Sequence, residues 1–160
     1  MSAPLVRAVF DCNLYFQALI NEEGPAGRCV TTAFERKVGL FLCRQVLTEV
    51  RRTATDPILR VKFQQITDER LAQLIANVEK VGHVVTRIPE RFTYPRDPDD
   101  AHYINLALAA KARYVVTRDK DPLDLMDAAR PEGPEFRQRF RSLQIIEPQV
   151  LLRELARTEA

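Results

Sequence analysis

Two histidines and three cysteines are all that this chain of 160 residues offers to a soft or borderline metal ion. Cys12, Cys29 and Cys43 stand at no metal-like spacing, so a zinc site is not expected. An odd count of unpaired thiols argues against a disulfide framework and for a reducing compartment. Charge of one sign is lacking too: 24 Lys and Arg face 22 Asp and Glu, a net +2. Composition alone therefore makes no electrostatic case for a polyanionic partner. The apolar stretch at the N-terminus is interrupted by Arg7 and Asp11, and no small-residue cleavage site follows it. Neither a secretory leader nor a membrane span is expected, and the expected location is cytoplasmic. No internal repeat or low-complexity segment is present.

What is present is 46% hydrophobic residues, enough for one domain with a core of its own. The expectation is a single domain over residues 1–160, with its core at about 5–150 and a helical insert at about 56–80. Residues 5–10, bounded by Pro4 and Asp11, read as a buried strand. A helix from Asn13 to Ile20 follows, then a loop over 21–27, a helix over 28–37, a strand over 40–43 and a helix from Gln45. Residues 56–80 read as two helices broken near Thr67 and Asp68, with Asp68 as the cap. Residues 83–88 read as a strand and 89–96 as loop. A short helix near 123–128, a break at Pro131 to Pro134, a strand over 143–146 and a C-terminal helix opened by Pro148 complete the chain. Alternation of strands and helices predicts an α/β three-layer sandwich, a mostly parallel central sheet flanked by helices.

The chain can be arranged around the stretch Asp97 to Asp119. Asp97 and Pro98 read as N-cap and first residue of a helix, Ile104, Ala107 and Leu108 continue its apolar face, and Tyr114 to Val116 form a strand. Asp100, four residues before Ile104, shares the inward face, whereas Asp99 is turned about 100° toward solvent. In a parallel α/β sheet the strands' carboxyl ends and the following helices' amino ends meet at one edge, where ligands bind. Asp11, Glu49, Asp100 and Asp119 all fall on that edge. Singly, each has an ordinary explanation as a cap, a dipole partner or an exposed helical residue. Together they would repel one another unless a cation neutralised them. The oxygen donor set suits a hard divalent ion, Mg²⁺ or Mn²⁺, of the kind many nucleases use on phosphodiesters.

Four motifs carry a resemblance: Val9 to Asn13, Leu47 to Val50, Arg96 to Asp100, and Val115 to Asp119. In this order and spacing they resemble the successive motifs of the PIN-domain family, and the Asp-Pro-Asp-Asp helix start resembles its branch of bacterial toxin–antitoxin components. The resemblance covers about residues 5–150. It implies a Mg²⁺- or Mn²⁺-dependent endoribonuclease acting on RNA and inhibited by a cognate antitoxin protein, and a homodimer. Asp11, Glu49, Asp100 and Asp119 match the family's acidic positions as catalytic and metal-holding residues, with Asn13 and Thr117 in support. Arg118 departs from the pattern, since relatives of this branch often carry Gly there. The segment from Arg130 to Arg141 is longer than the family needs.

Arg outnumbers Lys 19 to 5. An arginine fork suits phosphate, although a GC-rich genome gives the same bias. Arg51, Arg96 and Arg118 are the candidate substrate contacts, and the basic clusters are Arg51 with Arg52, Arg87 with Arg91 and Arg96, and the run Arg137, Arg139, Arg141. The competing reading from another class is a PIN-like domain that binds RNA or protein without cutting. A dehalogenase-type acyl-phosphate enzyme needs Asp where Asn13 stands, and a receiver domain needs paired acids that are not evident. Cys12 has no His placed near it by motif and reads as a core thiol. His102 is expected to point away from the inner face.

Overall fold

The computed structural model describes residues 5–159. Five strands form one sheet in the order β3-β2-β1-β4-β5, and every pairing is parallel. They are β1 (Arg7–Phe10), β2 (Gly39–Leu42), β3 (His83–Val84), β4 (Tyr114–Val116) and β5 (Gln144–Ile146). The helices are α1 (Cys12–Ile20), α2 (Pro25–Phe34), α3 (Arg44–Ala54), α4 (Pro57–Lys62), α5 (Asp68–Val81), α6 (Pro98–Ala110), α7 (Lys120–Asp124), α8 (Glu132–Arg139) and α9 (Pro148–Glu159). Pro4 and Ala160, read as a strand boundary and the end of a charged tail, lie outside the described residues.

The middle strands are short and apolar because they are covered on both faces, as parallel sheets are. Val9 pairs with Phe41 on one side and Val115 on the other. Right-handed crossovers from β1 outward to β3 place α1 to α5 on one face, and the return to β4 places α6 on the other. Accordingly α1, α2, α3 and α5 pack on one another, α9 joins them through α2, and α6 lies across β1, β2 and β4. Most of α6 is buried, including Ile104 and Leu106. Its one buried amide, Asn105, accepts from the Arg91 and Phe92 backbone N–H groups and donates to the Phe92 carbonyl, each at 2.9 Å. That clamp fixes the loop over 89–96 against the helix.

Several sequence boundaries move. The loop after α1 ends sooner than expected, because Pro25 opens α2 at a position where no backbone donor is needed. Gly27 then falls inside the helix, and a Cβ there would stand 2.5 Å from the carbonyl oxygens of both Asn21 and Glu22. The tight corner between α1 and α2 therefore requires glycine. In α5 the cap is Thr67, whose side chain accepts from the Arg70 N–H, so Asp68 becomes the first helical residue, favourable at the dipole's positive end. The strand expected over 83–88 has only two residues, an exposed edge beyond which Val85 makes a single ladder bond to Leu42. The short helix expected near 123–128 starts earlier, at Lys120. The largest correction is α8, which begins within the Pro131 to Pro134 stretch read as a breaker. Pro134 is its third residue, still within the turn whose N–H groups need no helical partner.

Candidate active site

The carboxyl ends of β1 and β4 are adjacent, and each ends in an acid. Asp11 follows Phe10 and caps α1, its Oδ1 accepting from the Asn13 backbone N–H at 2.9 Å. Its other oxygen accepts from the Thr117 hydroxyl at 2.7 Å, while Thr117 Oγ1 accepts from the Asp119 N–H at 3.0 Å. One buried threonine thus sets the spacing between two acids on neighbouring strands. The third acid comes from the opposite direction. Asp97 caps α6 by accepting from the Asp100 N–H, which turns the Asp100 side chain into the protein. Asp100 is buried and Asp99 is exposed, as helical spacing predicts.

Carboxylate oxygens of Asp11, Asp100 and Asp119 lie within 4.8 Å of one another. Asp100 Oδ2 is buried without any hydrogen-bond donor. Burial, then Asp97, then the charges of Asp11 and Asp119 raise the Asp100 pKa to about 8. Burial and the shared hydrogen bond with Asp11 raise Asp119 to about 7, and the Asn13 side chain draws it partly back. Asn13 thus serves Asp11 through its backbone and Asp119 through its amide. Groups arranged to resist joint ionisation, with an orphaned oxygen among them, fit a divalent cation. No soft donor competes, because burial pushes the Cys12 thiol up to about 12 and it remains protonated.

Glu49, the fourth sequence candidate, lines the same cavity of about 360 Å³, but it is not one of the three clustered acids. Tyr103 donates to Glu49 Oε2 at 2.6 Å and accepts from the Cys12 N–H at 3.2 Å. Burial holds the Tyr103 pKa far above its ordinary value, so the phenol stays a donor. His102 is not among the three clustered acids' neighbours at the cavity wall, and it is half-buried. It packs on Tyr103 with ring centroids 4.0 Å apart and brings Nε2 to 3.2 Å from Glu49 Oε1. Burial lowers its pKa, against the pull of Glu49.

The arginine candidates are placed elsewhere. Arg96 is held by Asp121 and Asp124, both at 2.7 Å. Arg51 faces Glu79 at 3.9 Å, and the exposed Arg118 acts on Cys29. None of the three lines the acidic cavity, whereas Arg52 does. Arg52, of the Arg51-Arg52 pair, is thus the member that reaches the site, three positions after Glu49 on the same helical face. Tyr103 is the residue that sequence reasoning missed, and its place three positions after Asp100 is the signal that could have found it.

The sequence profile of the PIN domain family matches residues 7–121, from the start of β1 to just beyond Asp119. A relative from Methanocaldococcus jannaschii, named "Uncharacterized protein MJ1680", is 30% identical over 122 residues, 76% of each chain. With the parallel sheet and the three aspartates at its carboxyl edge, these matches show that the chain belongs to the PIN domain family.

Proposed function

We propose that this protein is a divalent-metal-dependent endoribonuclease, and that it serves as the toxin of a toxin–antitoxin pair. PIN domains are generally nucleases that bind divalent metals. The observation that carries the reading is the orphaned Asp100 oxygen among three converging carboxylates. Asp11, Asp100 and Asp119 would hold Mg²⁺ or Mn²⁺, with Glu49 at the wall of the cavity. Such an ion stabilises charge on a phosphodiester and makes water more acidic. The protein's own part is orientation. Thr117 keeps Asp11 and Asp119 in register, Tyr103 fixes Glu49, and Arg52 offers a cation to the phosphate at the cavity wall.

If water is the nucleophile, single-stranded RNA incubated with Mg²⁺ or Mn²⁺ should yield fragments with 3′-hydroxyl and 5′-phosphate ends, read by end-labelling. A cyclic 2′,3′-phosphate would assign the attack to the RNA's own 2′-hydroxyl and overturn the mechanism. RNA bound but left intact with either ion, in protein freed of any antitoxin, would favour a binding module instead.

Two further partners belong to this reading. Ile58 and Val61, one turn apart on α4, are 78% and 75% exposed, and a second copy of the chain would cover them. Light scattering at tens of micromolar should report a dimer that Ile58→Lys with Val61→Lys converts to a monomer. A monomeric wild type would remove this part. A cognate antitoxin is expected in the neighbouring reading frame. Among the described residues no helix is long and apolar enough to cross a membrane.

A further inference from the structure

The edge of the sheet opposite the acidic cavity carries the reverse charge. Lys111 and Arg113 lie between α6 and β4, Arg141 lies between α8 and β5, and Arg91 and Arg139 flank them. All five are exposed, and all five line one cleft of about 610 Å³ that contains no carboxylate. None makes an ion pair among the described residues. Glu154, the carboxylate that acts on Arg113, is itself paired with Arg157 at 3.5 Å. Lys111 at the carboxyl end of α6 and Arg139 in the last turn of α8 could each be assigned to a helix end, where a cation complements the dipole. Arg91, Arg113 and Arg141 need another reason, and without these five residues the chain is net negative, so the concentration is local.

Three of these arginines are held in place. The Arg91 and Arg139 guanidinium carbons stand 5.8 Å and 4.8 Å from the centre of the same Phe140 ring. Arg139 also donates to the Arg91 carbonyl at 2.7 Å, and the Arg91 backbone is clamped by the buried Asn105. Arg113 donates to the Tyr114 hydroxyl at 3.0 Å. Ordering long side chains in advance lowers the entropic cost of binding an anion, and fixed arginine forks suit phosphate bidentately.

We propose that this cleft is an exosite that grips the phosphate backbone of single-stranded RNA away from the point of cutting. The proposal rests on the ribonuclease reading for its ligand. Asp100 and Lys111 mark the two ends of α6, so at about 1.5 Å per residue the two edges are roughly 16 Å apart. A neighbouring groove shares Arg91, Arg139 and Phe140 but also carries Glu90, Glu132 and Glu135. The grip is therefore a local one, at the far edge, and not a continuous cationic track.

The test is binding without metal, so that it does not depend on cutting. A fluorescent single-stranded RNA of about twenty nucleotides, long enough to span both edges, is titrated in EDTA at several salt concentrations. Lys111→Gln, Arg113→Gln and Arg141→Gln combined should weaken binding about tenfold and flatten the slope of log affinity against log salt by about 2, near 0.7 for each phosphate no longer neutralised. Arg113→Lys with Arg141→Lys, which keeps the charges, should retain most of the affinity. If the triple variant does not fold, the single changes Lys111→Gln and Arg141→Gln carry the same test with smaller shifts. Unchanged affinity and slope would overturn the exosite. So would unchanged RNA binding alongside lost binding of polyglutamate, which would assign the cleft to an acidic protein. Failure of the nuclease reading looks different: wild-type protein binds the RNA, and the variants weaken it, but no strand is cut with Mg²⁺ or Mn²⁺.

Discussion

Asp100→Asn is expected to abolish RNA cleavage while leaving the metal-free protein as stable as wild type, or more so. Asp100 is the acid that α6 delivers into the cluster, and its Oδ2 has no donor within the protein. An amide cannot serve a divalent ion as a carboxylate does, and the several kcal/mol such an ion contributes correspond to a rate loss on the order of a thousandfold. The same substitution removes an acid whose ionisation burial, Asp97, Asp11 and Asp119 all oppose, so without metal it removes the cost of holding that group protonated at neutral pH. Asp99→Asn is the comparison: at the wall of the same cavity but exposed and outside the triad, it should have a far smaller effect on rate. Initial rates with Mn²⁺ and melting curves in EDTA check both halves. If Asp100→Asn keeps its rate, the cluster is not the site; if it melts much lower in EDTA, its role is structural.

The second large effect is an inverted dependence of stability on pH. An ordinary carboxylate that gains a partner on folding has a lowered pKa and loses stability in acid. Here the folded values are raised, to about 8 at Asp100 and about 7 at Asp119, against about 4 in the unfolded chain. Between those limits the folded state binds more protons than the unfolded one, so its stability falls as pH rises. Metal-free protein should be more stable near pH 5 than near pH 8.5, by a few kcal/mol once screening of these partly hydrated acids is allowed for. Each kcal/mol is worth roughly 2–4 °C in melting temperature for a chain of this size. Saturating Mn²⁺ should reverse the trend over the same window, because the ion displaces the protons. Urea titrations at the two pH values, with and without Mn²⁺, read this directly. A metal-free protein whose stability rises between pH 5 and pH 8.5 would remove the case that the cluster is electrostatically strained.

The parts of the fold legible in the sequence were those decided locally. Asp97 and Pro98 open α6 because a cap and a proline act within one turn, and helical spacing alone turned Asp100 inward and Asp99 outward. The strand from Tyr114 to Val116 emerged with its bounds intact, since a short apolar run beside an αL cap at Lys111 has few alternatives. What escaped depends on contacts far along the chain. The helix α8 looked like a breaker, because nothing local shows that Phe136 and Phe140 will find Phe92. Glu49 was placed at the correct edge, but its capture by Tyr103 joins residues 54 positions apart. Arg51, Arg96 and Arg118 stand beside the acidic motifs in sequence, but Asp121, Asp124 and Glu79 claim two of them in space.

The strand order has a consequence for how the molecule comes apart. β1 is the central strand, paired on both sides, and β4 is its neighbour. Two of the three clustered aspartates therefore hang from the innermost pair of strands, and the third from the helix that covers them. Fraying of β3 at one margin leaves that triad with its supports in place, whereas β5 at the other is itself a support, because the Thr117 N–H donates to the Ile146 carbonyl at 2.9 Å. Amide protons of Val9, Phe10 and Val116 belong to the unit that opens last. The chain can thus open at its β3 margin without changing the spacing of the three aspartates, whose strands and helix lie away from that edge.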